Sequence, residues 1–254
     1  MIKTAKELAA AAKAVATDHK SLYVLGAFGW PMTDSMKQRA LNAQAYNRKA
    51  ARKKKIESAG KDTFGFDCCG LVKALLWGWN GNQSKNYGGA VYSSNGVPDK
   101  SANQMIKLCR EVSTDFAGLQ VGELLWIEGH VGIYIGSGLA VECTHRWADG
   151  VQITAVHNVG KKTGLNGRTW TKHGKLPYIE YTAGFSVTME QLLQGDEGEA
   201  VKALQRLLGV SVTGQFDAVL TDAVKKFQKG HGLQVDGIAG EETMCRLLGV
   251  AEHE

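Results

Sequence analysis

Two adjacent thiols stand in the run Phe66-Asp67-Cys68-Cys69-Gly70-Leu71-Val72-Lys73-Ala74-Leu75-Leu76-Trp77. A cysteine attacks a carbonyl only as thiolate, and the first turn of a helix lowers a thiol's pKa because its unpaired N–H groups and dipole favour negative charge. An acidic residue opens the run, and apolar residues at 71, 72, 75 and 76 follow with the spacing of a short buried helix. At about 100° per residue Cys68 shares a face with Val72 and Leu75 and is expected to point inward, towards a sheet, whereas Cys69 shares one with Lys73 and is expected to lean towards solvent. A lone cysteine is usually only a small buried residue. Two at the head of one helix are a stronger sign of chemistry.

Such a nucleophile needs an imidazole as base and a third polar group to orient it. Among 7 histidines, His130 heads the run Val131-Gly132-Ile133-Tyr134-Ile135 and is the one directly attached to a core strand; His19, His157, His173, His231 and His253 lack that context. Val131, Ile133 and Ile135 alternate on one face, which puts His130, Gly132 and Tyr134 on the other. If Gly136-Ser137-Gly138 is a three-residue hairpin loop, His130 faces Thr144 and Glu142 is a diagonal neighbour on the same side. Parity selects Glu142 as the orienting carboxylate; a β-bulge after Glu142 would bring in His145 instead. Nucleotide and metalloprotease chemistry find no support, because no Gly-rich phosphate loop and no HExxH is present. A glycosidase is harder to exclude, since its two carboxylates need no local motif.

The elements that must position these groups follow from periodicity. Residues 4–20 read as a helix with Thr4 and Glu7 at capping-box spacing. A Gly- and aromatic-rich loop (23–31) comes next, then a polar stretch ending in the basic run 48–55, read either as a solvated helix face or as a patch for anionic wall polymers. Short β-rich runs at 124–127, 131–135, 139–143 and 151–156 are separated by Gly-containing turns, and 178–181 is the last expected strand. Helices first and an antiparallel sheet afterwards make an α+β domain over 1–181. After a linker at 182–187, residues 188–250 hold three short amphipathic helices in two related halves, a small all-α domain.

The 254 residues, 44% of them hydrophobic, allow two globular domains, and no apolar run approaches the ~20 residues of a membrane span. The net charge of +5 divides unevenly: from Ser186 onward 6 basic groups face 11 acidic ones, leaving 24 against 14 in the preceding body. A basic body suits a polyanion such as decorated cell wall; a nucleic-acid partner would rest on the 48–55 run alone and is not expected. Five cysteines without CxxC spacing are expected to be reduced, and neither metal nor cofactor is expected. Lys3, Lys6, Glu7 and Lys13 interrupt the stretch that an export signal would keep uncharged, so a cytoplasmic product without signal peptide is expected.

These motifs resemble the NlpC family of papain-like cysteine peptidases: Tyr23-Val24-Leu25-Gly26, Asp67-Cys68-Cys69-Gly70-Leu71-Val72 and His130-Val131-Gly132-Ile133-Tyr134-Ile135-Gly136, in that order, over about residues 1–180. The resemblance implies Cys68 as nucleophile, His130 as general base and Glu142 as the third residue, where the family commonly has His, Asn or Gln. It implies a substrate site at Tyr23 and Asp67, to which Cys69 and Trp30 are added. Cys69 stands where the family has Ser, which leaves open which thiol reacts. The tail resembles a three-helix peptidoglycan-binding domain, through Val201-Lys202-Ala203-Leu204-Gln205, Ala223-Val224-Lys225-Lys226-Phe227-Gln228 and Asp236-Gly237-Ile238-Ala239-Gly240. Together the two imply an endolysin-like peptidoglycan hydrolase of phage or prophage type, released to the wall at host lysis. The implied activity is cleavage between D-glutamate and the diamino acid; an amidase acting before L-alanine and a non-catalytic wall binder are the alternatives.

Overall fold

Thr4 starts the first helix as its spacing with Glu7 implies. Its hydroxyl accepts the Glu7 N–H while the Glu7 carboxylate takes the Thr4 N–H, capping α1 (Ala5–Asp18), whose Leu8, Ala12 and Val15 are buried. The chain divides into two compact units, Met1–Thr182 and Ala183–Glu254, and the computed structural model describes residues 2–181 and 191–248. The expected linker at 182–187 lies outside the described residues.

In the first unit, α1 is followed by β1 (Ser21–Tyr23), β2 (Phe28–Pro31), α2 (Asp34–Ala43), a 3₁₀ turn (Ala45–Arg48) and α3 (Ala50–Ser58). Strand β3 (Phe64–Phe66) pairs parallel with β1 and antiparallel with β2. This small sheet replaces the loop expected at 23–31: its strands are too short to show alternation, and every residue of β2 and β3 is buried. β3 runs directly into α4 (Cys68–Leu76). Then come α5 (Ala102–Leu108), β4 (Arg110–Ser113), β5 (Leu124–Ile127), β6 (His130–Gly136), β7 (Leu139–Thr144), β8 (Gly150–Val156), β9 (Gly167–Arg168) and β10 (Lys172–Lys175). They form one sheet in the order β4-β10-β5-β6-β7-β8-β9, antiparallel except for the last pair. The fold class is α+β.

The expected strand at 178–181 does not form. Glu180 makes a single bridge to Thr4, and Tyr181 instead turns its hydroxyl inward, donating to the Gly122 carbonyl and accepting the Leu176 N–H. The hairpin between β6 and β7 also differs from expectation. Its turn is the two residues Ser137 and Gly138, both at positive φ, and Ile135 is bulged between the pairs Tyr134↔Ala140 and Gly136↔Leu139. The bulge absorbs the residue the shorter turn releases. Deeper in the strands Ile133 still faces Val141, so His130 and Glu142 share a face.

Alternation along the sheet separates two apolar faces. Leu124, Val131, Ile133, Val141, Cys143 and Val151 join α1 and α4 in the main core, while Leu125, Tyr134, Ala140, Val156 and Trp170 form a smaller cluster with Phe116. Helix α4 is buried at every position but Lys73, and each fully buried Leu or Val is worth roughly 1.5–3 kcal/mol. Gly70 makes its placement possible. A Cβ there would lie 1.9 Å from the Ala27 carbonyl oxygen, which accepts the Asp67 N–H at 2.9 Å.

The second unit contains α6 (Glu199–Leu208), α7 (Ala218–Gly230) and α8 (Glu241–Leu248) around Val201, Leu204, Phe216, Leu220, Val224 and Ala239. Its two halves repeat one device. The buried Gln205 amide donates to the Gln215 carbonyl (3.1 Å) and accepts the Gly214 N–H (2.8 Å); Gln228 does the same to Ile238 (3.0 Å) and Gly237 (2.9 Å). Both glycines sit at φ near +80°, a region other residues rarely adopt.

Candidate active site

Asp67 caps the helix that carries the thiols. Its carboxylate accepts N–H groups from Gly70 (2.5 Å) and Gly26 (2.7 Å), tying the start of α4 to the turn after β1. Burial, then the neighbouring Cys68 charge, pushes its pKa up to about 6, against the pull of those N–H groups and Lys73. The Cys68 thiol lies 3.9 Å from the Cys69 sulfur and also meets the His130 ring and the Val131 N–H. Hydrogen bonding from Cys69, then contact with His130 and the Val131 N–H, holds Cys68 well below its ordinary 9.0 despite burial. Cys69 moves the opposite way, raised by its bond to Cys68 and by burial. The expectation that Cys69 leans towards solvent is therefore corrected: both thiols are 7% exposed, because α4 is enclosed on all sides rather than on one face. Of the two, Cys68 is the sulfur that also meets the imidazole.

His130 reaches the thiol from the first position of β6. Its Nε2 lies 2.7 Å from Glu142 Oε2, leaving Nδ1 for Cys68. Burial would lower its pKa, but the bonds to Cys68 and Glu142 outweigh that and raise it above 6.5. Glu142 is wholly buried and accepts from Thr154 Oγ1 (2.8 Å), Arg168 Nη2 (2.7 Å) and Arg168 Nε (3.1 Å). Burial alone would raise it; His130 and Arg168 bring it below its ordinary value. Thiol, imidazole, carboxylate and guanidinium thus follow one another in contact, and the partners on Glu142 are how a dry site tolerates its charge. Trp170 stacks on the imidazole at 5.7 Å and 12°, held by Asn158 through bonds of 2.8 and 3.0 Å. Gly132 leaves the room: a Cβ there would come within 2.9 Å of the indole. His145, by contrast, is exposed and edge-on to Tyr23 at 5.4 Å. β7 pairs with β8 residue for residue from Leu139 to Thr144, without the bulge that would turn His145 towards His130.

A groove of about 460 Å³ opens over the thiols, lined by Tyr23, Asp67, Cys68, Cys69, Lys73 and Asn103 among others. Trp30 does not line it. It lies in β2, 3% exposed, packed edge-on against Phe28 and under the Arg39 guanidinium, so its assignment to the substrate site is corrected. Burial first, then the charges of Cys68 and Asp67, raises the Tyr23 phenol and keeps it neutral. Its backbone is held from the basic run: Arg52, 8% exposed, donates to the Tyr23 carbonyl (3.0 Å) and to Asp149 (2.8 Å), which also takes Lys55 (2.5 Å). Part of the 48–55 run is therefore neither solvated face nor free patch. Asn103 fixes the turn before His130, accepting from the Gly129 N–H (2.8 Å) and the Trp126 indole (3.1 Å). Sequence reasoning missed Arg168, Thr154, Trp170 and Arg52. The one available signal was that a buried Glu142 requires a cation. For metals, Asp67, Cys68 and Cys69 bring a carboxylate oxygen and two sulfurs within 4.8 Å of one another.

Residues 197–247 match the family model described as "Putative peptidoglycan binding domain". Among curated proteins, the "uncharacterized protein in bpoA1 3′ region" of Kitasatospora aureofaciens is 41% identical over 71 residues, 25% of this chain and 60% of that protein. The zinc D-Ala-D-Ala carboxypeptidase of Streptomyces albus G is 39% identical over 64 residues, 22% of this chain and 25% of that protein. The chain spans less than two thirds of the length of both. Among solved structures, the P60 domain of the M. avium subspecies paratuberculosis antigen MAP1204 aligns with 70% of this chain and 96% of its own, at TM-score 0.37 and 17% identity. A periplasmic domain of the EpsAB fusion protein of the Vibrio vulnificus type II secretion system aligns with 63% and 74%, at TM-score 0.23 and 21% identity.

Proposed function

We propose that this chain is a peptidoglycan hydrolase that cuts a stem-peptide amide by acyl transfer to Cys68, with its second unit as the wall-binding module. The observation that carries the reading is the contact chain Cys68, His130, Glu142 at the head of a buried helix and beside an open groove. The Cys68 thiolate attacks the carbonyl, and the oxyanion falls to N–H groups of the first turn of α4, Cys68's own included, which have no i−4 partner inside the helix. His130 gives its Nδ1 proton to the departing amine, the C–N bond breaks and a thioester remains. Water, deprotonated by His130, then releases the acid and returns the Cys68 thiolate beside the reprotonated imidazole. Glu142 holds the ring and balances its charge throughout. The match of residues 197–247 to a peptidoglycan-binding domain supports the substrate, and the resemblance of the Cys68 and His130 motifs to NlpC peptidases supports the bond between D-glutamate and the diamino acid. In this reading the chain works as an endolysin of phage or prophage type, made in the cytoplasm and acting on the wall after release.

Digesting purified walls and reading the muropeptides by mass spectrometry tests this. A new amino terminus on the diamino acid is the expected product, and Cys68→Ala should release none. Free amino-terminal L-alanine would instead mark an amidase. No release by wild type from any wall would leave a binding protein, and digestion by Cys68→Ala at the wild-type rate would remove Cys68 as nucleophile.

A further inference from the structure

Acyl transfer needs one thiolate and one imidazole, yet the floor of the groove holds a second sulfur. Cys69 Sγ lies 3.9 Å from Cys68 Sγ, both buried, and the Asp67 carboxylate completes three donor atoms within 4.8 Å of one another. Two thiolates on one tetrahedral zinc ion, each about 2.3 Å from the metal, stand about 3.8 Å apart. The observed separation is that of a dithiolate clamp. A disulfide fits far worse: the sulfurs would have to close to about 2.05 Å, and adjacent Cα atoms, about 3.8 Å apart, fall short of the about 4.4–6.8 Å that a disulfide spans.

We propose that Asp67, Cys68 and Cys69 form a binding site for a thiophilic divalent cation, Zn²⁺, with a fourth coordination position open to the groove. Soft sulfur donors select zinc over calcium or magnesium. The Asp67 carboxylate is held beside the sulfurs, each oxygen accepting one backbone N–H, from Gly70 and from Gly26, and a small shift of it would bring an oxygen onto the ion; such outer bonds are what orient metal ligands. Uptake forms two Zn–S bonds and one Zn–O bond. Any proton still on either thiol is released to solvent, since a coordinating thiol is deprotonated by the ion itself. The site does not depend on the peptidase reading. Within that reading, a bound ion occupies the attacking sulfur and silences the enzyme until zinc is withdrawn.

The test is Zn²⁺ titration of the reduced, metal-free full chain against a chromophoric chelator, with Cd²⁺ uptake followed by its thiolate charge-transfer absorption. One ion per chain is expected, with the absorption of two thiolates. Cys69→Ser and Cys68→Ser should each weaken binding roughly 100-fold or more, and Cys109→Ser should leave it unchanged. Circular dichroism and melting of every variant separate a lost site from a lost fold, and Asp67→Asn, with both sulfurs intact, is the second route if a cysteine variant does not fold. No stoichiometric uptake by wild type, or uptake persisting in Cys68→Ser/Cys69→Ser, would overturn the site. Binding is read without turnover, so wild type that takes up zinc but digests no wall counts against the peptidase reading alone. Digestion indifferent to zinc counts against the zinc site alone.

Discussion

Replacing Arg168, whose guanidinium lies over the Trp147 and Trp170 rings at 5.3 and 5.6 Å, by methionine keeps volume there but removes the charge that Glu142 faces. The pair is nearly dry: the Glu142 side chain is 0% and that of Arg168 10% exposed. Removing one partner of a buried pair costs about 3–5 kcal/mol, and the lower end applies because His130 and Thr154 still serve the carboxylate. For a protein of this size about 3 kcal/mol lowers the melting temperature by roughly 6–12 °C. The carboxylate, no longer shared, also draws the His130 proton more strongly, so the alkaline limb of the pH–activity profile moves upward. Glu142→Gln supplies the other corner of a double-mutant cycle, because a neutral amide of the same shape still fits beside the imidazole. Combined with Arg168→Met it should recover about 2–3 kcal/mol relative to the sum of the single changes. Calorimetric melts of the four proteins give the answer. Additive single effects, or an Arg168→Met melt within about 1 °C of wild type, would refute the idea that the two side chains act as one neutral unit.

With Cys68 below its ordinary 9.0 and His130 above 6.5, kcat/KM should have an acid limb set by the thiol and an alkaline limb set by the imidazolium; a profile without the alkaline limb would mean a neutral base. His173 is raised because its bonds to Glu123 (2.5 Å) and the Asp115 carbonyl (2.7 Å) outweigh burial, which alone would lower it. Its stabilising contribution is therefore full below about pH 6.5 and fades as pH climbs through the higher folded value, so His173→Gln should flatten the melting temperature against pH on that side. Gly70→Ala puts a Cβ 1.9 Å from the Ala27 oxygen and should cost about 1–3 kcal/mol or more, seen as a lower melting temperature or loss of soluble protein. Gln228→Ala leaves the Gly237 N–H and Ile238 carbonyl without their partner; a loss of about 1–3 kcal/mol from the second unit should appear as reduced retention on purified walls when warmed.

Sequence reading reached furthest where one local rule decides the outcome. The Thr4–Glu7 cap, the Asp67 start of α4 and the alternation through β6 and β7 are each settled within a few residues, and parity alone put Glu142 beside His130. It failed where burial comes from several directions. Helical phase leaned Cys69 outward because phase assumes one wet face, and α4 has none. Trp30 and Phe28 sat in what looked like an aromatic loop because strands β2 and β3 are too short for a period. Arg52 and Arg168 were invisible for another reason: each meets a carboxylate far along the chain, and nothing in their neighbours distinguishes them from surface cations.

Gln205 and Gln228 grip their turns by main-chain atoms, and the residues whose carbonyls they hold, Gln215 and Ile238, keep side chains that are exposed or half-exposed. Conformation and surface chemistry are thereby uncoupled at both tips. Substitutions at those two positions can accumulate without loosening the loops that bear them. A duplicated scaffold of this sort can change the chemistry it presents to solvent while its architecture stays unchanged.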